Sequence, residues 1–418
     1  MKILFLTHVF PFPPNDGMRS TCFQLVKHLS KNHDTALLSM IESEDEKKFI
    51  PEMKKWCPKV ETVLHTVPRS PLLRIVNTLF KKIPFCVEQF YSPAFDAKLK
   101  EMLRDGQYDV VHMLSVNITG YLDTFGDTPG LFFPHDSVSM QFRRNAQKEP
   151  RLLRKLYLYA QSVKMKCYEK EVIHKAAKTV VVSDVDRKWI SEFLPDNTIS
   201  VIPGGVDPDM FKPMDTESKI PTVIFRGVME FIPNIDAALY FHREVMPLVL
   251  KEIPDLQFYI IGKNPPEEVQ RIHDGKHIFV TGLVDDLRPY MAQAAVHVCP
   301  MRSGSGMKNK VLEAWSMEKP VVATSLACDG IDLTPGKHLL TADTPAEFAK
   351  CVVELFKNPA LRKQLGQAGK ALAVEKYTWA YVATLFEKVY RDMIANRKTN
   401  QRSGPLNVPN IIRQPAKV

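Results

Sequence analysis

Val296–Ser325, VHVCPMRSGSGMKNKVLEAWSMEKPVVATS, reads as strand, glycine loop, helix, strand. Ala295–Cys299 and Pro320–Thr324 are short apolar runs of the kind buried in parallel sheets. Gly304, Ser305 and Gly306 turn the chain, and a helix opens near Lys308–Lys310 with Glu313 about one turn in. That order sets main-chain NH groups, a helix N-terminus and two lysines at the carboxyl end of a buried strand, a place that holds phosphate. A carboxylate on the first turn then accepts hydrogen bonds from ribose hydroxyls. The stretch reads as a nucleotide diphosphate site. Lys310 and Glu313 are three apart and share a helix face toward one ligand. A dinucleotide fingerprint fits poorly, because the third glycine of GxGxxG would fall at Asn309.

The text around this stretch has the same alternation. Strands are expected at Thr222–Phe225, Gln257–Ile261, His277–Thr281 and His338–Thr341, with helices at Ile235–Leu250, Asp286–Ala294, Asn309–Met317 and Pro345–Phe356. The first half also alternates. Its apolar runs are Ile3–Thr7, Thr35–Met40, Glu61–His65, Asp109–Leu114, Leu131–Pro134 and Thr179–Ser183. Helical stripes lie between them, such as Cys22, Leu25, Val26 and Leu29. Between the halves, Val201–Pro213 carries three prolines and two glycines, the mark of a hinge. The fold class is α/β, with two doubly wound Rossmann-like domains facing a central cleft. The expected division is 1–203, 204–376, a helix 377–396 returning to the first domain, and a disordered tail 397–418.

Composition agrees with that reading. A chain of 418 residues is too long for one ordinary core. Apolar residues make up 45% and charged residues 25%, as in soluble globular proteins. The net charge of +9 suits phosphate-bearing ligands, anionic membrane surfaces or nucleic acid. Nucleic acid is the poorest fit, since no zinc spacing, helix-turn-helix or RNP motif is present. The seven cysteines form no CxxC, which suits reduced thiols in a cytosol. No apolar run approaches a membrane span, and the N-terminus reads as a strand without a cleavage signal, so a cytoplasmic location is expected. Two basic, partly apolar stretches, 68–91 and 143–178, offer peripheral contact with an anionic membrane; the second holds eleven Lys/Arg against three Glu.

Other candidate site residues sit where open α/β sheets bind ligands, at strand carboxyl ends. Arg226 and Gly227 follow the first strand of the second half; the arginine can neutralise a pyrophosphate, and the glycine lets backbone approach it. Asp16, Gly17 and Arg19 lie in the loop after the first strand, either as an anion-binding loop or as a cap and turn. His135 and Asp136 end the strand LFFPHD, where catalytic or substrate-orienting groups sit, and Asp136 reads equally as a helix cap. Asn234 reads as the N-cap of the next helix, and His112 as a satisfied core histidine. The twelve histidines show no metal spacing, so no protein-held metal is expected.

The two βα halves, GSGMKNKVLEAWSMEKPVVATS, the hinge IPGGVD and the closing YTW helix resemble the retaining glycosyltransferases of family 4, with the GT-B fold. The stretches FRGVMEFIPNIDAALYFHREVMP and VTGLVDDLRPY look like a bacterial branch tied to exopolysaccharide assembly. The resemblance implies a metal-independent hexosyltransferase that takes a sugar from a nucleotide-diphosphate sugar, with no other cofactor, and passes it to a glycan or lipid-linked acceptor. It implies that Glu313 holds the ribose, Gly304–Gly306 with Lys308 or Lys310 the diphosphate, and the Gly17 loop closes over the phosphates. The acceptor would enter past His135 and Asp136. The chain departs from the family twice. Ser305 stands eight residues before Glu313, where many members carry a second glutamate. Arg226 precedes its glycine, and Val228–Ile235 lack the usual lysine. A nucleotide-sugar epimerase of the same fold and a non-catalytic nucleotide-sugar binder are the alternatives.

Overall fold

The computed structural model describes residues 1–67, 77, 81–192, 199–216 and 218–402. Two all-parallel sheets organise them. The first sheet holds β1 (Lys2–Thr7), β2 (Asp34–Ile41), β3 (Lys59–Leu64), β4 (Val110–Met113), β5 (Gly130–His135), β6 (Lys178–Val181) and β7 (Ile199–Val201), in the order 3-2-1-4-5-6-7. The second holds β8 (Thr222–Arg226), β9 (Gln257–Ile261), β10 (Ile278–Gly282), β11 (Val296–Cys299), β12 (Val321–Ala323) and β13 (Leu340–Thr341), in the order 10-9-8-11-12-13.

Alternation along β1 explains why the first sheet is covered twice. Ile3 and Phe5 enter one buried cluster, and Leu4 and Leu6 enter the cluster on the opposite face. The helix Gly17–Leu29 covers the first face with Cys22, Leu25, Val26 and Leu29. The helix Leu152–Lys175 covers the second with Met165, Val172 and Ile173. The second sheet and its helices enclose a cluster that includes Phe225, Phe241, Phe258, Trp315 and Phe348.

The last helix, Trp379–Arg402, seats Trp379, Val382, Phe386, Tyr390 and Met393 in the first face's cluster with Phe5. It is longer than expected: its backbone continues through residues 397–402, the start of the expected tail, because Arg, Lys and Gln favour helix and no Gly or Pro intervenes before Gly404. Residues 403–418 lie outside the described residues. The crossing segment is pinned to both halves. Val206 N donates to Tyr377 O at 2.7 Å, and Asp207 accepts from Gln24 at 3.3 Å and Lys27 at 3.2 Å.

Two local features differ from the expected elements. The helix Ile232–Tyr240 passes through a π-turn, Phe241–Val245, before Met246–Leu250. Pro247 has no NH for the carbonyl four residues back, so the ladder shifts by one. Strand β7 is a three-residue edge strand that runs directly into the proline-glycine segment.

Candidate active site between the two sheets

In the second sheet β8 and β11 are neighbours, and their connections leave toward opposite edges. A crevice opens at their carboxyl ends. Arg226 closes β8. After β11 comes the glycine loop, then the helix Asn309–Ser316. Gly304 (φ +106°) and Gly306 (φ +66°) both take left-handed backbone, which glycine adopts without the strain a Cβ brings. Gly262, after β9, packs so tightly on the Gly227 carbonyl that a Cβ there would sit 1.7 Å from the oxygen.

The second domain's candidate residues converge here. Lys308 is buried; its ammonium folds back onto the carbonyls of Ser305 (2.8 Å) and Gly306 (2.6 Å) and props the loop from within. Lys310 donates to Asn234 Oδ1 at 2.8 Å and lies 4.5 Å from the centre of the Phe225 ring. Glu313 Oε2 lies against Arg226 Nη2. Burial pushes the Arg226 guanidinium down to about 10 and Lys310 down to about 8, where the nearby Arg226 and Lys308 charges add to the effect. Burial also lowers Lys308, against the pull of Asp136. Asn234 is not the N-cap. Phe231 holds that position and Pro233 sits in the first turn, leaving the Asn234 amide to brace the Val228 carbonyl at 2.9 Å and to accept from Lys310.

The first domain meets this loop from the other side. Asp136 Oδ2 accepts from Ser305 Oγ at 2.5 Å, and a Cβ on Gly306 would come within 2.7 Å of Asp136 Cβ. Ser137, not Asp136, caps the helix Val138–Lys148. Two buried carboxylates brace that cap: Asp186 accepts from Ser137 N at 2.8 Å, and Glu169 accepts from Ser139 N at 3.2 Å. His135 has φ +70°, a strained backbone for histidine, and its buried Nε2 has no hydrogen-bond partner. Burial pushes its imidazole down to about 4, although Asp136 pulls the other way.

Gly17 and Arg19 are placed differently. Asp16 caps the helix Gly17–Leu29, accepting from Arg19 N at 2.9 Å. The Arg19 guanidinium is held by Asp16, Glu46 and the Phe10 carbonyl. Gly17 takes no left-handed backbone, and a Cβ there would touch nothing within 4 Å. The contact of this loop with the second domain runs through Asp16, 3.4 Å from Lys263 Nζ. His112 is a core residue whose Nδ1 meets the Tyr390 hydroxyl at 2.6 Å.

Three further residues reach the site without a sequence signal. Arg144 stretches from the helix Val138–Lys148 to the Gly304 carbonyl and to Asp329, at 3.3 Å from the latter. It lies within the basic stretch 143–178 yet faces the second domain. His8 follows β1, half-buried and pushed down to about 3 by desolvation and by the neighbouring His135 and Arg19. Lys263 is the third. Among the described residues, no three His, Cys, Asp or Glu side chains group closely enough to hold a metal ion.

Known proteins resemble this chain in sequence and in fold. The family description "Glycosyltransferase Family 4" matches residues 15–210, and "Glycosyl transferases group 1" matches residues 220–358. An "Uncharacterized 44.6 kDa protein in cps region" of Klebsiella pneumoniae is 24% identical over 390 residues, 90% of this chain and 96% of that protein. The phosphatidyl-myo-inositol mannosyltransferase of Mycobacterium leprae is 27% identical over 310 residues, 72% of this chain and 78% of that protein. Among solved structures, Anabaena HepE in complex with UDP and glucose superposes with a TM-score of 0.63 at 12% identity, covering 94% of this chain and 99% of that one. Sucrose-phosphate synthase of Thermosynechococcus elongatus gives 0.70 at 17% identity, covering 95% and 100%. With a family 4 domain in front, a group 1 domain behind and two parallel sheets meeting at one glycine loop, the chain belongs to the glycosyltransferases of the GT-B fold.

Proposed function

We propose that this chain transfers a sugar from a nucleotide-diphosphate sugar to a glycan or lipid-linked acceptor, with retention at the anomeric carbon, in cell-surface glycan assembly. The convergence of Lys308, Lys310 and the Arg226–Glu313 pair on one glycine loop carries this reading. In it, Glu313 turns from Arg226 to the ribose hydroxyls, and Arg226 is left to meet phosphate charge. The amides of Gly304–Gly306 and the ammonium of Lys310 take the diphosphate, and Lys308 holds the loop in shape. Cationic side chains and fixed NH groups stabilise the leaving diphosphate without a metal. His135, neutral over the physiological range, lines the acceptor side with Asp136. The UDP bound by HepE and the relative named for the cps region support the donor class and the setting.

The acceptor side suggests a lipid carrier. The helix Leu152–Lys175 leaves Leu152 69%, Leu153 84% and Leu156 56% exposed, among Arg151, Arg154 and Lys155. Leucines ringed by basic groups suit an anionic bilayer at its inner face. No described helix is long and apolar enough to cross a membrane. Of the other basic stretch, 68–91, residues 68–76 and 78–80 lie outside the described residues.

A binding and turnover panel tests the proposal. Calorimetry against UDP, GDP, ADP and TDP should select one nucleotide, and its sugars should then be consumed only with an acceptor. An epimerised sugar formed without acceptor would replace transfer by epimerisation. Nucleotide binding without turnover across a broad acceptor panel would leave a binding protein.

A further inference from the structure

Breaking the bond between a sugar and a diphosphate leaves two charges to be met. The electron pair goes to the phosphate oxygen, where the loop amides and ammonium groups lie. The anomeric carbon becomes electron-poor, and an anionic oxygen fixed beside it lowers the barrier.

The carboxylates around the glycine loop differ in what holds them. Glu313 faces Arg226, Asp329 faces Arg144, and Asp16 faces Arg19 and Lys263. Asp186 is buried and engaged with Ser137 N and the Ser183 hydroxyl. Asp136 accepts from the Ser305 hydroxyl, with the Lys308 ammonium near enough to feel its charge, and it is half-buried at the carboxyl end of β5, directly over Gly306. Burial and the negative charge of Asp136 push the Asp186 carboxyl up to about 6.

We propose that Asp136 is the carboxylate that stabilises the electron-poor anomeric carbon, supplied by the first domain and seated by Ser305 at a loop position with no carboxylate of its own. The assignment rests on the glycosyl-transfer reading above. In the step, the bond from the anomeric carbon to the diphosphate oxygen breaks, and its electron pair stays on that oxygen. The acceptor hydroxyl oxygen bonds to the carbon, and its proton passes to the departing phosphate. Asp136 forms no bond and moves no proton. Because the carboxylate arrives from across the cleft, donor cleavage is tied to the two domains meeting.

The test uses the full chain, the nucleotide sugar selected by the binding panel, and three proteins: wild type, Asp136→Asn, and the double variant Ser305→Glu/Asp136→Ser. Asp136→Asn should bind the nucleoside diphosphate within twofold of wild type while kcat falls by roughly 10²-fold or more. The double variant returns a carboxylate to the same spot from the loop side and should recover at least tenfold over Asp136→Asn. An unchanged kcat in Asp136→Asn, with wild type active, overturns the assignment. If Asp136→Asn does not fold, a folded double variant with no turnover overturns it alone. A wild type that transfers from no donor sinks the functional reading first, and this assignment with it.

Discussion

Glu313, one turn into the helix that follows the glycine loop, is paired with Arg226, the last residue of β8. The pair spans the crevice between β8 and β11, so in the proposed function a nucleotide exchanges one partner of Glu313 for another. Glu313→Ala removes the proposed ribose acceptor and is expected to weaken nucleoside diphosphate binding by about 1–3 kcal/mol, roughly 5- to 150-fold. Calorimetry with the preferred nucleotide reads this directly. Unchanged affinity in a folded Glu313→Ala protein would take Glu313 out of the site.

If Lys310 meets the diphosphate as proposed, nucleotide affinity depends on pH. Its ammonium holds its proton only to about pH 8 in the ligand-free protein, because burial and the Arg226 and Lys308 charges oppose it. A bound diphosphate favours the charged form, so the complex keeps the proton to higher pH. The Lys310 contribution to affinity is therefore flat below pH 7 and falls as pH rises through 8, by at most about tenfold per pH unit. Lys310→Met should bind more weakly and lose the decline between pH 7.5 and 9. A decline that survives in that variant would assign it to another group.

Exposed leucines on the helix Leu152–Lys175 give a membrane prediction. Replacing Leu152, Leu153 and Leu156 by serine should abolish sedimentation with phosphatidylglycerol vesicles. Melting temperature should hardly move, since exposed positions contribute little to the core. Vesicles of neutral lipid should bind wild type weakly, because the adjacent Arg151, Arg154 and Lys155 need anionic headgroups. Equal binding of wild type and variant to anionic vesicles would turn this face away from the bilayer.

What was legible in the sequence is what is local. Strand, glycine loop, lysines and Glu313 lie within one contiguous stretch, and each follows from backbone needs that neighbouring residues satisfy. The long-range partners were not legible. Ser305 and Asp136 are 169 residues apart, and Arg144 and Gly304 are 160 apart; only the docking of the two sheets joins them. Arg144 read as one basic residue among eleven, and nothing in its surroundings points across a cleft. Asn234 misled because Asn favours caps, yet Pro233 in the first turn already signalled an earlier helix start. For Arg19, charge suggested an anion, whereas two carboxylates of its own domain occupy the guanidinium.

Glu169 supplies a stability prediction with a definite sign. It is fully buried beneath the cap of the helix Val138–Lys148, accepting from Ser139 N, Ser139 Oγ and Ser137 Oγ. Burial outweighs those hydrogen bonds and pushes its carboxyl up to about 7 from an unfolded value of 4.5. The folded protein thus holds a proton that the unfolded chain has released between pH 4.5 and 7. The stability contribution of Glu169 is complete below pH 4.5 and is lost as pH rises through 7. Glutamine keeps the shape, accepts from Ser139 N with its oxygen and donates to a serine hydroxyl with its amide, and it carries no charge. Glu169→Gln should match wild type near pH 4.5 and exceed it at pH 8, by an amount on the order of a few kcal/mol. Thermal melts of the two proteins across that range decide it. A constant offset would mean that the folded carboxyl titrates where the unfolded one does, the hydrogen bonds from the serines and the Ser139 amide balancing its burial.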